Sequence, residues 1–170
     1  MIDAIKRYFA NDLLIELSKE QVVVKRFATD EKFQLEPFIA FEISTSEAKQ
    51  KDKLNVKAIG ADAKTLSSTN VKVSNPFEHC RSFVGDFYLA DEVIRHCVQQ
   101  LHRTGFKPQP RIVMHQLQKV EGGLTSIEER VLLELAEGSG ARETVVYLGE
   151  CINVKLETFE QVKARAVNCM

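Results

Sequence analysis

The sequence has no tryptophan, four prolines and four cysteines in 170 residues. The cysteines, at positions 80, 97, 151 and 169, show no paired spacing, which argues against a disulfide-stabilised secreted fold and favours a reducing compartment. No run approaches the roughly 20 apolar residues of a transmembrane helix, and we expect neither a membrane span nor a secretory signal peptide. These absences, together with a hydrophobic share of 44%, predict a single cytoplasmic domain over residues 1–170.

An excess of charge of one sign is also missing, since 23 basic residues face 24 acidic ones and the net charge is −1. The composition therefore favours neither a nucleic-acid partner nor a solvating acidic tail. One local feature is the amphipathic pattern of residues 1–11, in which Ile2, Ile5 and Phe9 share a helical face beside basic residues. This segment could rest on an anionic membrane surface, which predicts peripheral contact at the inner membrane, or pack on the domain as a short first helix.

Hydrophobic periodicity changes from helix to strand between residues 85 and 117. Apolar residues at 93–101 follow helical spacing, with Asp91 as the expected N-cap and Gly105 as the stop. Two prolines then lead into an apolar, branched segment at 111–117 that is too short for a helix. This segment is predicted to be a buried strand.

A second helix and strand follow directly. Thr125 and Ser126 each precede a glutamate by three residues, a capping-box pattern that predicts the start of a helix. Residues 138–140 (GSG) should end this helix, and residues 144–148 should form the next strand. The side chains expected to face inward are Ile127, Val131, Leu132 and Leu135. Alternating helices and strands require crossover connections, which predicts parallel strands in an α/β layer.

The N-terminal half predicts an antiparallel meander of three strands, at residues 12–17, 21–27 and 33–43. Residues 44–84 are assigned to an inserted small subdomain or loop region. Within it we expect a polar loop at 44–53, a strand at 54–60, a helical turn at 61–66 and irregular or edge structure at 67–82. Near the C-terminus, Thr158 and Gln161 predict a capping box for a last helix that runs through Ala166.

Six segments in this order resemble the MreB-type rod-shape-determining bacterial actins. They are residues 9–17 (FANDLLIEL), 58–64 (AIGADAK), 84–87 (VGDF), 110–113 (PRIV), 126–130 (SIEER) and 136–143 (AEGSGARE). The resemblance covers nearly the whole chain and implies the first large domain of an actin-like fold, itself RNase H-like. The expected fold is therefore the α/β ATPase-domain fold of actins, with a mixed sheet built from the meander and the helix-strand-helix-strand unit.

Two departures from that family concern the phosphate-binding turn of the first hairpin. The family has the form D-L-G-T-x-N-T, whereas this chain has Glu16 at the start and Ser18 in place of the glycine. Glu20 would bring negative charge towards a phosphate, and a like charge 4 Å away costs about 4 kcal/mol at an effective dielectric constant near 20. We therefore expect a degenerate turn and no bound nucleotide cofactor.

A third departure concerns hydrolysis. The resemblance implies a Glu-Glu-Pro segment whose glutamate positions the attacking water, but residues 148–151 here read LGEC, with Glu150 as the one candidate to stand in. The chain also ends at Met170, before the second phosphate loop and the adenosine-binding half of the family. We therefore expect no ATPase activity.

Other reactive residue types have competing structural interpretations. Asp12, Glu16 and Asp86 suit an RNase H-like two-metal site by residue type, but the first two should stand about 13 Å apart along one strand. The histidines and cysteines at 79, 80, 96, 97, 115 and 151 lack the spacing of a closed zinc site. Lys19 is expected at a solvated hairpin tip, and Arg142 at a helix end or interface. We therefore predict no metal ligand and no catalytic residue.

The predicted function is a non-catalytic, actin-like interaction module of the bacterial cytoplasm that acts on or beside the cell-shape cytoskeleton. The expected partner is the cell-shape actin or another cytoskeletal protein, bound through residues 58–66 or the helix at 128–137, while the N-terminal apolar face is expected to contact the membrane. A homodimer is a further expectation, because a missing partner lobe would leave a face to cover. Two alternatives stay open: a scaffold component of a secretion or pilus apparatus, and a nucleotide-binding enzyme that completes its cleft by oligomerising.

Overall fold

The computed structural model describes residues 11–42, 55–66, 68–102 and 108–167. The strands are β1 (Asp12–Leu17), β2 (Val22–Arg26), β3 (Lys32–Leu35), β4 (Ile39–Glu42), β5 (Val56–Ile59), β6 (Val71–Ser74), β7 (Arg111–Gln116) and β8 (Glu143–Tyr147). The helices are α1 (Ala61–Thr65), α2 (Phe87–Leu101), α3 (Ser126–Gly138) and α4 (Phe159–Val167). The apolar segments of residues 1–10, the loop at 44–53, Gly105 and Cys169 lie outside the described residues, so the predictions made for them stay predictions.

The main sheet has five strands in the order β3-β2-β1-β7-β8. β1 to β3 form the predicted antiparallel meander, while β1, β7 and β8 run parallel. Both parts of the expected mixed sheet are thereby confirmed. Because β1, β7 and β8 point the same way, their carboxyl ends meet at one edge of the sheet, where ligands bind in open α/β folds.

The predicted strand at 33–43 is wrong as a single element. It divides into β3, on the edge of the main sheet, and β4, the central strand of a second antiparallel sheet ordered β5-β4-β6. The break falls at Pro37, which has no N–H to donate to a ladder and restricts the residue before it. The apolar pattern continues across the break because both strands bury their apolar side chains against the same core.

Helices cover both faces of the main sheet, which explains why every residue of β1 is buried. On one face, α2 and α3 pack over the larger apolar cluster, which includes Cys97. On the other face, α4 packs over a smaller cluster that includes Leu14, Val113 and Phe159. Strands buried on both sides carry apolar runs, here residues 13–15 in β1 and 112–114 in β7, and the polar residues at their ends are the ones that find hydrogen-bond or ion-pair partners.

The expected N-cap Asp91 is wrong, because α2 begins one turn earlier. Its N-cap is Asp86, whose Oδ1 accepts a hydrogen bond from the Leu89 N–H at 3.1 Å. Asp91 instead lies within the helix and pairs with Arg95 at 2.5 Å. The earlier start is favoured because Leu89 and Ala90 extend the buried stripe towards the N-terminus.

The capping box of α3 is confirmed. The Thr125 hydroxyl accepts from the Glu128 N–H at 3.3 Å, and a Glu128 carboxylate oxygen accepts from the Thr125 N–H at 2.9 Å. Leu132 and Leu135 are buried as expected, but Ile127 is 76% exposed and the inward orientation predicted for it is wrong. Ile127 lies in the first turn, before the helix comes into contact with the sheet.

Replacing Thr125 with alanine should lower the free energy of unfolding by about 1 kcal/mol, because the Glu128 N–H loses its acceptor at the start of the helix. Urea unfolding followed by circular dichroism measures the change. Ser126→Ala, one residue further on, is the matched control and should change stability by only a few tenths of that amount. Equal losses in the two variants would contradict the assigned cap.

The ends of α3 and α4 also agree with the sequence. Gly138 is the last residue of α3, and Gly140 beyond it has φ of 97°, a left-handed conformation that suits glycine. Thr158 and Gln161 make reciprocal contacts at the start of α4, with the Thr158 N–H donating to Gln161 Oε1 at 2.8 Å. Among the described ranges, no helix has the length and apolar character needed to cross a membrane.

Candidate functional site

The tip of the β1–β2 hairpin lies at the carboxyl edge of the parallel strands and closes on itself. The Ser18 N–H donates to the Gln21 carbonyl at 3.0 Å, and the Gln21 N–H donates to Ser18 Oγ at 3.0 Å. The Ser18 hydroxyl in turn donates to the same Gln21 carbonyl. The N–H groups of Ser18 and Gln21 therefore both have acceptors within the turn, and the Ser18 hydroxyl is one of these two acceptors.

A glutamine from the neighbouring strand end binds the same tip. Gln118, which follows β7, accepts the Lys19 N–H on Oε1 at 2.9 Å and donates from Nε2 to Glu20 Oε2 at 2.7 Å. The Lys19 carbonyl accepts from Asn75 Nδ2 at 2.7 Å. The amide of Gln118 thus occupies a backbone donor that a phosphate oxygen would need.

Glu20 places a carboxylate at the hairpin tip. Partial desolvation acts to raise its pKa, but the hydrogen bond from Gln118, its own backbone N–H and the charge of Lys19 together hold the pKa below its usual value. The Lys19 ammonium lies 3.7 Å from Glu20, so the lysine predicted at a solvated tip pairs with its neighbour. Solvent screens this pair, and it contributes little to stability.

The turn after β7 is held by residues that the sequence analysis missed. Gln116 Nε2 donates to the carbonyls of Gln118 at 2.7 Å and Lys119 at 3.3 Å. Lys119 has φ of 55° and donates from Nζ to the Ser82 carbonyl at 3.3 Å and to the His79 carbonyl. The available signal was the polar pair Gln118-Lys119 one residue after a buried strand.

Buried polar side chains of β1 and β7 lie next to one another below this edge. The Glu16 carboxylate forms an ion pair with the Lys25 ammonium at 2.7 Å. Glu16 lies beside His115 in the parallel pairing of β1 with β7. His115 is 1% exposed, its Nε2 lies 3.2 Å from the Gly149 carbonyl, and its Nδ1 is without a hydrogen-bond partner among the described residues. Its ring stands edge-on to Tyr147. Burial lowers the pKa of His115, although the Gly149 carbonyl and the Glu16 charge oppose that shift.

The low pKa of His115 predicts a pH-dependent contribution to stability. The folded pKa lies below the unfolded one, so this contribution is complete above the unfolded value near 6.5 and is lost as pH falls. The destabilisation caused by His115→Gln, measured by urea unfolding, should therefore be smaller at pH 5.5 than at pH 8. Gln116→Ala, a buried neighbour that does not titrate, should cost the same at both pH values. An equal pH dependence in the two variants would contradict the assignment.

The carboxylates considered for a two-metal site lie apart. Asp12 is at the opposite end of β1 from Glu16 and forms a bidentate ion pair with Arg111, at 2.7 and 2.8 Å. Arg111 also binds Glu160 and stacks 4.2 Å from the Phe159 ring centroid. These contacts raise its pKa, led by the Asp12 hydrogen bonds. Asp86 caps α2, so each of the three carboxylates has a separate structural role.

The thiols and imidazoles are also dispersed. In the part of the chain that the structure describes, no three residues among His, Cys, Asp and Glu are grouped as metal ligands. Cys80 and Cys151 are exposed, whereas burial raises the pKa of Cys97 to about 12. His96 packs edge-on against a phenylalanine ring, and desolvation lowers its pKa.

The segment after β8 has a tight turn. Gly149 has φ of 155°, and a Cβ there would lie 2.6 Å from the Tyr147 hydroxyl. Glu150 follows it on the exposed surface. Arg142, before the strand, donates from Nε to the Gln109 carbonyl at 3.0 Å, and the helix-end or interface role expected for it stays a prediction.

No known family profile matches the chain. It is 26% identical over 148 residues to the cell shape-determining protein MreB of Escherichia coli, an alignment that covers 84% of this chain and 40% of MreB. MreB of Pasteurella multocida is 27% identical over 149 residues, or 86% of this chain and 39% of that protein. The chain thus spans about 40% of the length of these relatives. The uncharacterized protein YjaA of Escherichia coli is 34% identical over 79 residues, 43% of this chain and 62% of YjaA.

Solved structures agree with these relatives. A non-polymerising mutant of MamK bound to AMPPNP superposes with a TM-score of 0.59 at 15% identity, over 81% of this chain and 40% of MamK. MreB 5 of Spiroplasma citri bound to AMPPNP gives a TM-score of 0.57 at 13% identity, over 79% of this chain and 37% of that one. The MamK double helical filament gives 0.55 at 15% identity, over 82% of this chain and 41% of that one. The sequence relatives and the shared fold together confirm the prediction that this chain is an MreB-like partial domain with the actin-like fold.

Proposed function

We propose that this chain is a non-catalytic, actin-like interaction module that works with the bacterial cell-shape cytoskeleton and binds no ATP. The similarity to MreB supports the cytoskeletal part of the proposal, because MreB is described as cell shape-determining. The actin-like fold supplies a rigid sheet and flanking helices on which contacts to a partner can be placed.

The observation that carries the loss of ATP binding is the occupied hairpin tip. Gln118 and Ser18 take the amides of Lys19 and Gln21, and the Glu20 carboxylate lies beside them. A phosphate would have to displace a side-chain amide and approach an ionised carboxylate, with both changes opposing binding. Without a phosphate turn, Glu150 has no γ-phosphate to act upon, and we propose no ATPase activity.

Protein contacts are the activity that remains for such a module. We propose that it binds the cell-shape actin or another cytoskeletal protein, with a homodimer as a further form, through α3 or the α1 region at 58–66. Ile127, at the start of α3, is 76% exposed and offers an apolar contact. The MamK relative forms a double helical filament, which supports association between copies of this fold. The N-terminal residues Ile2, Ile5 and Phe9 are proposed to contact the cytoplasmic face of the membrane.

A second candidate, nucleotide binding, is favoured by the AMPPNP-bound structures of MamK and MreB 5. Calorimetric titration of the purified chain with Mg-ATP distinguishes the two. We expect no measurable heat of binding. A dissociation constant tighter than about 100 μM, equivalent to about −5.5 kcal/mol, would overturn the proposed loss of the site. The chain would then be a nucleotide-binding protein.

Co-sedimentation with polymerised Escherichia coli MreB tests the interaction itself. We expect this chain to pellet with the polymer, and Ile127→Glu to reduce the pelleted fraction by placing a charge in the apolar contact. Leu156→Glu is the matched control, because Leu156 is 80% exposed and lies outside α3 and residues 58–66. This variant should leave the pelleted fraction unchanged. Failure of the wild-type chain to pellet at any salt concentration would contradict the proposed partner.

A further inference from the structure

A cavity of about 410 Å³ lies between the β2–β3 turn and the segment that follows β8. This volume falls within the range of small-molecule sites, roughly 300 to 1,000 Å³. The lining residues that matter are Lys25 and Lys32 from the strands, Lys155 and Cys151 from the segment, and Ile152 at the base. The cavity lies at the end of the β1–β3 meander that is remote from the β1–β2 hairpin tip.

The base of the cavity is apolar and fixed. Ile152 is 4% exposed and belongs to the core cluster under α4, against which Val154 also packs. The Ala28 N–H donates to the Val154 carbonyl at 2.7 Å, which ties the segment to the turn between β2 and β3. Because Ile152 is almost fully buried, a ligand would meet a small apolar contact there, with the half-buried Val154 beside it. Both positions are preformed, which reduces the entropy lost on binding.

Three lysines line the cavity, and two of them have an acidic partner. Lys25 pairs with Glu16 at 2.7 Å, and Lys155 pairs with Asp30. Asp30 and Glu31 also line the cavity, and Glu31 pairs with Arg26, which is not part of the lining. Lys32 forms no ion pair with any residue in the described part of the chain, and it is the cross-strand partner of Lys25. Two lysines side by side on adjacent strands repel one another, and an anion between them removes that repulsion.

We infer that this cavity binds a small organic anion with an apolar body. The anionic group lies on Lys32, the lysine of the lining without an acidic partner among the described residues, and the apolar body lies against Val154 and the exposed edge of Ile152. The long methylene stems of the lysines add apolar surface to the walls while their ammonium groups reach solvent. This site is independent of the proposed cytoskeletal function, since it shares no residue with the hairpin tip or α3.

The test uses the full chain and the probe 8-anilinonaphthalene-1-sulfonate, an aromatic anion whose fluorescence rises in an apolar site. We expect a saturable increase, and a loss of affinity of about fivefold in Lys32→Ala because one partly exposed ionic contact disappears. Lys72→Ala removes an exposed lysine from β6 with the same change in net charge, and it should keep the wild-type affinity within twofold. Equal losses in both variants, or no saturable signal, would overturn the proposal.

Two exposed cysteines provide an internal control for where the probe binds on the protein. Cys151 lines the cavity and Cys80 does not. Alkylation by iodoacetamide, quantified for each cysteine by peptide mass spectrometry, should slow at Cys151 when the probe is present and stay unchanged at Cys80. Equal protection of both cysteines, or protection of neither, would show that the probe binds elsewhere. At a probe concentration equal to the wild-type dissociation constant, Lys32→Ala should weaken the protection of Cys151, and thermal unfolding of that variant verifies that it remains folded.

Discussion

Replacing Arg111 with methionine is expected to lower the free energy of unfolding by about 3 kcal/mol or more. The Asp12 carboxylate, 7% exposed, would lose both guanidinium donors and remain as an uncompensated charge in the protein interior. Stacking on Phe159 and the contact with Glu160 on α4 would disappear as well. Urea unfolding followed by circular dichroism measures the loss.

Arg130→Met is the matched control for this prediction. Arg130 pairs with Glu134 at 2.8 Å one turn along α3, but its side chain is 75% exposed. Its loss should cost no more than about 0.5 kcal/mol. Arg111→Lys should fall between the two methionine variants, since it keeps the charge but not the planar fork that binds Asp12. If both methionine variants lost similar stability, the buried pair would not have the role assigned to it.

Phe77→Ala should destabilise the chain by about 3 to 5 kcal/mol, the range for removing a buried phenylalanine side chain. Phe77 is 1% exposed and stacks on Phe83 with ring centroids 5.2 Å apart. Both lie between β6 and α2, where the second sheet leads into the main core. The variant should therefore loosen the second sheet as well as lower global stability, and urea unfolding together with hydrogen exchange of β6 amides measures both effects.

Tyr88→Ala provides the comparison, because Tyr88 is an aromatic residue of the same region that is 51% exposed. It should change the free energy of unfolding by less than about 0.5 kcal/mol, as surface substitutions usually do. A Phe77 variant with near wild-type stability would mean that the pair of rings does not connect the two sheets. Faster exchange in β6 with unchanged global stability would restrict their role to the second sheet.

The parallel part of the fold could be predicted because its signals are local. The apolar stripe of α2, the capping box at Thr125 and the glycines at the end of α3 each depend on residues within one or two turns. The division of the predicted third strand could not be predicted in the same way, since the residues on both sides of Pro37 are apolar and contact one core. Which sheet each half joins is decided by tertiary packing.

The candidate site was predicted only in part. Ser18 and Glu20 are visible as departures from a phosphate-binding turn, because they replace residues within a short motif. The contact of Gln118 with Lys19 joins residues 99 positions apart, and a single sequence gives no distance between them. The same holds for His115, whose neighbours Glu16 and Tyr147 come from two other strands. Such contacts follow from strand order, which the periodicity does not specify.

The central position of β1 has a consequence for how the chain is made. During synthesis β1 leaves the ribosome before β7 and can pair with β2 at once, but its other edge waits for β7, since Asp12 and Arg111 are 99 residues apart. At roughly 5 to 20 residues per second, that edge stays unpaired for about 5 to 20 seconds. An apolar strand with a free edge can pair with other chains. The nascent protein therefore has a period in which chaperone binding would protect it.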